Sequence, residues 1–225
     1  MDDLEAKEFI FILDWSGSMG GTPIKVAKEA LKLFIKSIPE GSKFNVVSFG
    51  SNFESFWNES QDYSNENVDE ALSKVSAFDA DLGGTEIYQP LDFVFNSRKS
   101  SDLQTHVYLI TDGCVSSVDQ VTGLIALNSH DHCVHAIGIG SGVSTSLIIE
   151  AANAGKGSYY FVDDKATGLN EIIINALCAS MEPAYQILDK KLNLNCSPIL
   201  QSPSFDSGGF MRHGSTFTYY AILSG

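Results

Sequence analysis

The first strong signal along the chain is EFIFILD, residues 8–14, an almost unbroken apolar run of strand-forming residues. A run without polar alternation predicts a strand covered on both faces, as in a parallel sheet. Beyond a Gly-rich turn, Pro23 opens a segment in which Ile24, Ala27, Ala30, Leu31, Phe34, Ile35 and Ile38 recur at helical spacing, until Pro39-Glu40-Gly41 stops it. KFNVVSF, residues 43–49, follows as a second strand. Strand, helix, strand in that order implies a right-handed crossover between parallel neighbours.

The alternation continues. Residues 52–57 read as a short edge strand, and helices are expected over 66–77, with Asn65 as N-cap, and over 87–95. HVYLIT (106–111), CVHAIGIG (133–140) and SYYFVD (158–163) read as strands, with helices at 118–127, 145–153 and 169–180 between and after them. Phe9, Phe11, Phe34, Phe49 and Phe161 lie on these runs and are expected in the core. The pattern predicts an α/β fold, a doubly wound, mostly parallel sheet flanked by helices, over residues 1–180. From Met181 the texture changes, because Pro183, Pro198, Pro203 and Gly208-Gly209 punctuate two alternating segments, 184–196 and 215–223. Residues 181–225 therefore read as a β-rich C-terminal extension. A stretch of that size is too small to bury a core of its own.

Charge narrows the partners. Asp and Glu outnumber Lys and Arg by 28 to 14, a formal charge of -14. Nucleic-acid binding draws most of its affinity from cation-phosphate contacts, so nucleic acid is not an expected partner. No stretch approaches the about 18 apolar residues of a membrane span, and the start, MDDLEAKEF, has neither the basic nor the apolar region of a signal peptide. Membrane insertion is not expected, and a cytoplasmic location is. Cys114, Cys133, Cys178 and Cys196 have no C-x-x-C spacing and read as free thiols of a reducing compartment.

Candidate chemistry lies where the strands end. In open α/β sheets, ligands sit outside the carboxyl ends of the strands. The first strand delivers Asp14, Trp15, Ser16, Gly17 and Ser18 there; Thr85 follows Gly83-Gly84 in a loop; Asp112 ends HVYLIT. Two carboxylates and three hydroxyls are hard oxygen donors that suit Mg²⁺, with Mn²⁺ or Ca²⁺ as alternates. With only two negative charges among them, an ion held there still attracts an anion, and a partner carboxylate is the natural further ligand. His130, His132 and His135, with Cys133 among them, have the residue types of a zinc site. Strand alternation, however, sends His132 and Cys133 to opposite faces. The string Gly138 to Gly142 lacks the G-x-G-x-x-G of a dinucleotide loop, because Val143 takes the last position.

The D-x-S-x-S string of Asp14, Ser16 and Ser18, the Thr85 after Gly83-Gly84, and the T-D-G of Thr111 to Gly113 resemble the metal-ion-dependent adhesion site of von Willebrand factor type A domains. The longer strings FIFILDWSGSM, GGTEIYQPL and HAIGIGSGVS look like the branch found in inter-alpha-trypsin inhibitor heavy chains and vault poly(ADP-ribose) polymerase. The resemblance covers about residues 7–180. It implies a Rossmann-like fold in which Ser16 and Ser18 ligate the ion directly, Thr85 directly or through water, and Asp14 and Asp112 largely through water.

The function expected from this is a non-enzymatic, cation-dependent protein-binding module of the adhesion or scaffold kind. Its partner would be a protein presenting an Asp or Glu carboxylate, with Trp15 and Glu86 at the binding rim. The alternative is a Mg²⁺-dependent hydrolase or phosphotransferase using Asp14 as nucleophile. Such enzymes want a second acid two residues on, where this chain has Ser16, and no basic residue lies within Asp14 to Ser18 to balance a phosphate.

Overall fold

The computed structural model describes residues 6–77, 83–97, 103–113 and 117–181, and four short strands beyond them. The chain divides into two compact units, Met1–Ser180 and Met181–Gly225.

In the first unit, β1 (Glu8–Asp14), β2 (Lys43–Phe49), β3 (Phe53–Ser55), β4 (Gln61–Asp62), β5 (Thr105–Thr111), β6 (His132–Ile139) and β7 (Lys156–Val162) form one sheet. The order across it is β3-β2-β1-β5-β6-β7, with β4 also pairing with β2. The pairs β1 with β2, β1 with β5, β5 with β6 and β6 with β7 are parallel. Only β3 and β4 run antiparallel to β2. The helices are α1 (Thr22–Ser37), α2 (Asn65–Ala77), α3 (Tyr88–Asn96), α4 (Val118–Asn128), α5 (Thr145–Ala154) and α6 (Leu169–Met181). This is the mixed α/β architecture that the unbroken apolar strands predict, since every residue of β1 and β5 is buried.

The two faces of the sheet pack differently. On one, Ile10, Ile12, Val107, Leu109, Val134 and Ala136 meet Leu91 of α3, Ile125 of α4 and Leu147 and Ile148 of α5. On the other, aromatic side chains dominate. Phe11 and Tyr108 pack on Phe34 of α1, at ring-centroid distances of 5.3 and 4.7 Å. The Tyr108 hydroxyl donates to the Ala176 carbonyl of α6 at 2.9 Å, which satisfies a polar group that burial would otherwise penalise. Phe9, Phe11, Phe34 and Phe49 are fully buried. Phe161 departs from the core expectation and is 37% exposed. The reason is its place on β7, the last strand of the sheet, where only one neighbour covers it.

In the second unit, β8 (Tyr185–Gln186) pairs antiparallel with β10 (Phe210–Met211), and β9 (Pro198–Ser202) with β11 (Tyr220–Leu223). Of the two expected strand segments, 184–196 and 215–223, residues 184, 187–196 and 215–219 lie outside the described residues. Among the described residues no helix is long and apolar enough to cross a membrane.

Candidate metal centre

The parallel register sets β1 between β2 and β5, so that Asp14 leaves the sheet beside Phe49 of β2 and one step beyond the Leu13-Ile110 pair. The chain does not leave the sheet abruptly. Trp15 N–H donates to the Phe49 carbonyl at 2.7 Å, which extends the β1-β2 ladder past Asp14. A short 3₁₀ turn, Gly17–Met19, then folds the motif over, with Met19 N–H on the Ser16 carbonyl at 3.0 Å.

Asp14 is fully buried and hydrogen-bonded through both oxygens. Ser16 N–H donates to Oδ1 at 2.8 Å, and the Thr111 hydroxyl of β5 donates to Oδ2 at 2.5 Å. Thr111 Oγ1 in turn accepts Gly113 N–H at 2.9 Å. Burial pushes the Asp14 carboxyl above its ordinary value, the hydrogen bonds from Ser16 and Thr111 oppose that shift, and the nearby charge of Asp112 adds to it. A cation would relieve both unfavourable contributions. Ser16 is buried and Ser18 exposed, yet their hydroxyls lie 2.9 Å apart.

The loop bearing Thr85 is tied down on either side of it. Gly17 N–H donates to the Gly83 carbonyl at 2.8 Å, Gly84 N–H to the Ser51 hydroxyl at 2.7 Å, and Glu86 N–H to the Gly50 carbonyl at 2.7 Å. Gly83 has φ +76°, and a Cβ there would come within 2.8 Å of Ser51 Oγ, so this position requires glycine. Thr85 is half-buried, and Glu86 is exposed. On the far side, Asp112 is 7% exposed, and its carbonyl accepts Ser144 N–H from the start of α5 at 3.0 Å.

Five segments thus converge at the carboxyl ends of β1, β2, β5 and β6. The donors are all oxygens, the set expected for a hard divalent cation. Both Asp14 oxygens are occupied by protein donors, which suits a carboxylate that orients hydroxyls and acts on an ion through water. Ser51, Gly50 and the hydroxyl of Thr111 were not expected in supporting roles. Thr111 was legible in principle, because β5 pairs with β1 and its last residue must end beside Asp14.

Trp15 corrects the expectation of a rim residue. It is fully buried, and a side chain without exposed surface offers nothing to a partner. The Trp15 backbone still holds on to β2 through the Phe49 carbonyl, so its side chain turns inward with the sheet's interior.

The family profile of the von Willebrand factor type A domain matches residues 7–161. The chain belongs to the von Willebrand factor type A domain family. A von Willebrand factor A domain-containing protein of Dictyostelium discoideum is 33% identical over 227 residues, which cover 99% of this chain and 24% of that protein. The von Willebrand factor A domain-containing protein 5A of Rattus norvegicus is 39% identical over 186 residues, 76% of this chain and 22% of its own length. The chain therefore spans about a quarter of the length of these relatives. Among solved structures, proximal thread matrix protein 1 from the mussel byssus, described with a zinc-occupied metal-ion-dependent adhesion site, superposes with a TM-score of 0.65. It is 20% identical, over 79% of this chain and 47% of that one, a likeness of fold. Type A domains are in general protein-interaction modules, and no enzymatic activity attaches to these relatives by name.

Proposed function

We propose that this type A domain binds a partner protein through a divalent cation held by Asp14, Ser16, Ser18, Thr85 and Asp112. The observation that carries the reading is the pairing of two hydroxyls, Ser16 and Ser18 at 2.9 Å, beside a buried carboxylate whose orientation is fixed from both oxygens. Ser16, Ser18 and Thr85 would hold the ion, and Asp14 and Asp112 would balance its charge. The ion, of the Mg²⁺ class, would supply an electrophilic point that accepts an Asp or Glu carboxylate of the partner. Glu86 lies exposed next to Thr85, at the rim, where it selects against partners carrying further negative charge. The zinc-occupied site of the mussel protein supports metal binding at this place in the fold.

The role is adhesive or scaffolding and not catalytic. An Asp14 nucleophile needs a face open to substrate, whereas its carboxylate is fully buried and held by hydrogen bonds at both oxygens. Calorimetry with Mg²⁺, Mn²⁺ and Ca²⁺ on the full chain tests the site. We expect one equivalent to bind, and binding to fail in Asp112→Ala with the fold retained by circular dichroism. Unaltered affinity in that variant refutes the assignment. Capture of carboxylate-bearing peptides should then require the ion and be reversed by EDTA.

A further inference from the structure

The sequential cluster of histidines does not stay together. His130 is exposed and lies 3.0 Å from Asp131, while His132 turns to the other face of β6 and packs on Phe95 at 5.0 Å. A different group forms instead, because parallel pairing sets His106 of β5 opposite Cys133 of β6. His135, two residues further on, shares their face. One ligand atom from each of His106, Cys133 and His135 lies within 4.8 Å of the others. His106 Nδ1 and His135 Nε2 are 3.0 Å apart, and Cys133 Sγ is 3.6 Å from His135 Nε2.

We propose that His106, Cys133 and His135 form a second metal site, a nitrogen- and sulfur-ligated centre for Zn²⁺ or a similar borderline-soft divalent ion. It is separate from the strand-end site. His106 stands six residues before Asp112, about 20 Å along β5 at the usual strand rise, and its ligand set excludes the oxygen-seeking ions expected there.

Three features favour an ion. The separations approach those of a tetrahedral centre, where metal-ligand lengths of about 2.0 to 2.3 Å put neighbouring ligand atoms roughly 3.3 to 3.7 Å apart. The rings are held in place from outside: His135 stacks on Tyr108 at 4.6 Å and 13°, and His106 on Phe9 at 6.1 Å and 29°. Both histidines are buried, and Cys133 is only half-buried, which gives the ion an entry side. Cys133 Sγ also lies 3.5 Å from the Lys156 carbonyl of β7, which fixes the side of β6 on which the sulfur sits.

Between Val134-Lys156 and Ala136-Tyr159 the β6-β7 register shifts, so Gly157 and Ser158 together face His135. Ser158 N–H, in this bulge, lies 3.1 Å from His135 Nδ1, which turns Nε2 toward His106 and Cys133.

Co²⁺ is the probe, added to the full chain purified without a histidine tag and pretreated with chelator. We expect a thiolate-to-cobalt charge-transfer band that saturates at one equivalent and is displaced by Zn²⁺. Cys133→Ser should abolish the band and His106→Gln should weaken binding by about tenfold or more, while Cys178→Ser and Asp14→Ala keep it. Retention in Asp14→Ala separates this site from the strand-end centre. A wild-type protein without the band, or a band that survives Cys133→Ser, overturns the proposal. Should Cys133→Ser not fold, the wild type decides: Zn²⁺ must slow alkylation of Cys133 while leaving exposed Cys178 as reactive as before, and equal rates at Cys133 with and without Zn²⁺ refute the site.

Discussion

The hydroxyl of Thr111 donates to Asp14 Oδ2 at 2.5 Å and so fastens the end of β5 to the end of β1. The bond lies within the buried layer of the sheet, and it holds the carboxylate in the one orientation in which Oδ1 also receives Ser16 N–H at 2.8 Å. Thr111→Val keeps the side-chain volume and removes the donor. The buried oxygen then lacks its partner, a loss of about 1 to 3 kcal/mol. We expect a lower urea midpoint and weaker Mg²⁺ binding, with Thr111→Ser recovering most of both. A Thr111→Val protein as stable as the parent would show that Asp14 finds another donor.

Trp15 is buried to the last atom although it sits within the metal motif. In a Trp57→Phe background its emission should be blue-shifted and protected from iodide. Trp15→Ala should cost about 3 to 5 kcal/mol, as expected for emptying a large aromatic site. Strong iodide quenching would show that the indole reaches the surface after all.

These two residues illustrate what the sequence makes legible. β1, β2 and β5 are readable because a strand buried on both faces needs unbroken apolar residues, and EFIFILD, KFNVVSF and HVYLIT meet that need. Asp14, Ser16 and Ser18 are readable because their spacing is local. Trp15 is not, since its inward turn depends on a hydrogen bond to Phe49, far along the chain. β4 escapes for another reason: two residues, Gln61 and Asp62, are too few to show any period. The approach of His106 to His135 likewise depends on which strands are neighbours, and of the cluster between 130 and 135 only Cys133 and His135 lie with it.

Asp163 gives a pH-dependent prediction. Its Oδ1 accepts Thr167 N–H at 2.9 Å and Lys165 N–H at 3.1 Å, organising the turn that leads into α6. The hydrogen bonds from Thr167, foremost, and Lys165 hold its carboxyl below the ordinary value. A lowered native value means that the stabilisation is fully present above the unfolded pKa of about 3.9 and is lost as pH falls through the native one. The melting-temperature gap between wild type and Asp163→Ala should therefore be constant near neutrality and close in acid. A gap that persists unchanged at the lowest pH where both proteins fold would assign the effect to something other than the carboxylate.

Gly157 and Gly123 make a matched pair of opposite sign. A Cβ on Gly157 would lie 1.9 Å from the Val134 carbonyl oxygen and 2.9 Å from His135 N, both backbone atoms of the neighbouring strand that cannot turn aside. Gly157→Ala must therefore push β7 away from β6, and it also disturbs the bulge in which Ser158 N–H reaches His135. Overpacking of this kind costs about 1 to 3 kcal/mol or more. Gly123 is exposed within α4, and a Cβ there meets nothing within 4 Å. Gly123→Ala should stabilise by about 0.5 to 1 kcal/mol, because glycine loses more backbone freedom than alanine on entering a helix. Urea melts of the two variants should shift in opposite directions, and hydrogen exchange in Gly157→Ala should rise first in β7. If Gly157→Ala melts with the parent and exchanges like it, the close approach of β7 to Val134 is not a feature of the folded protein.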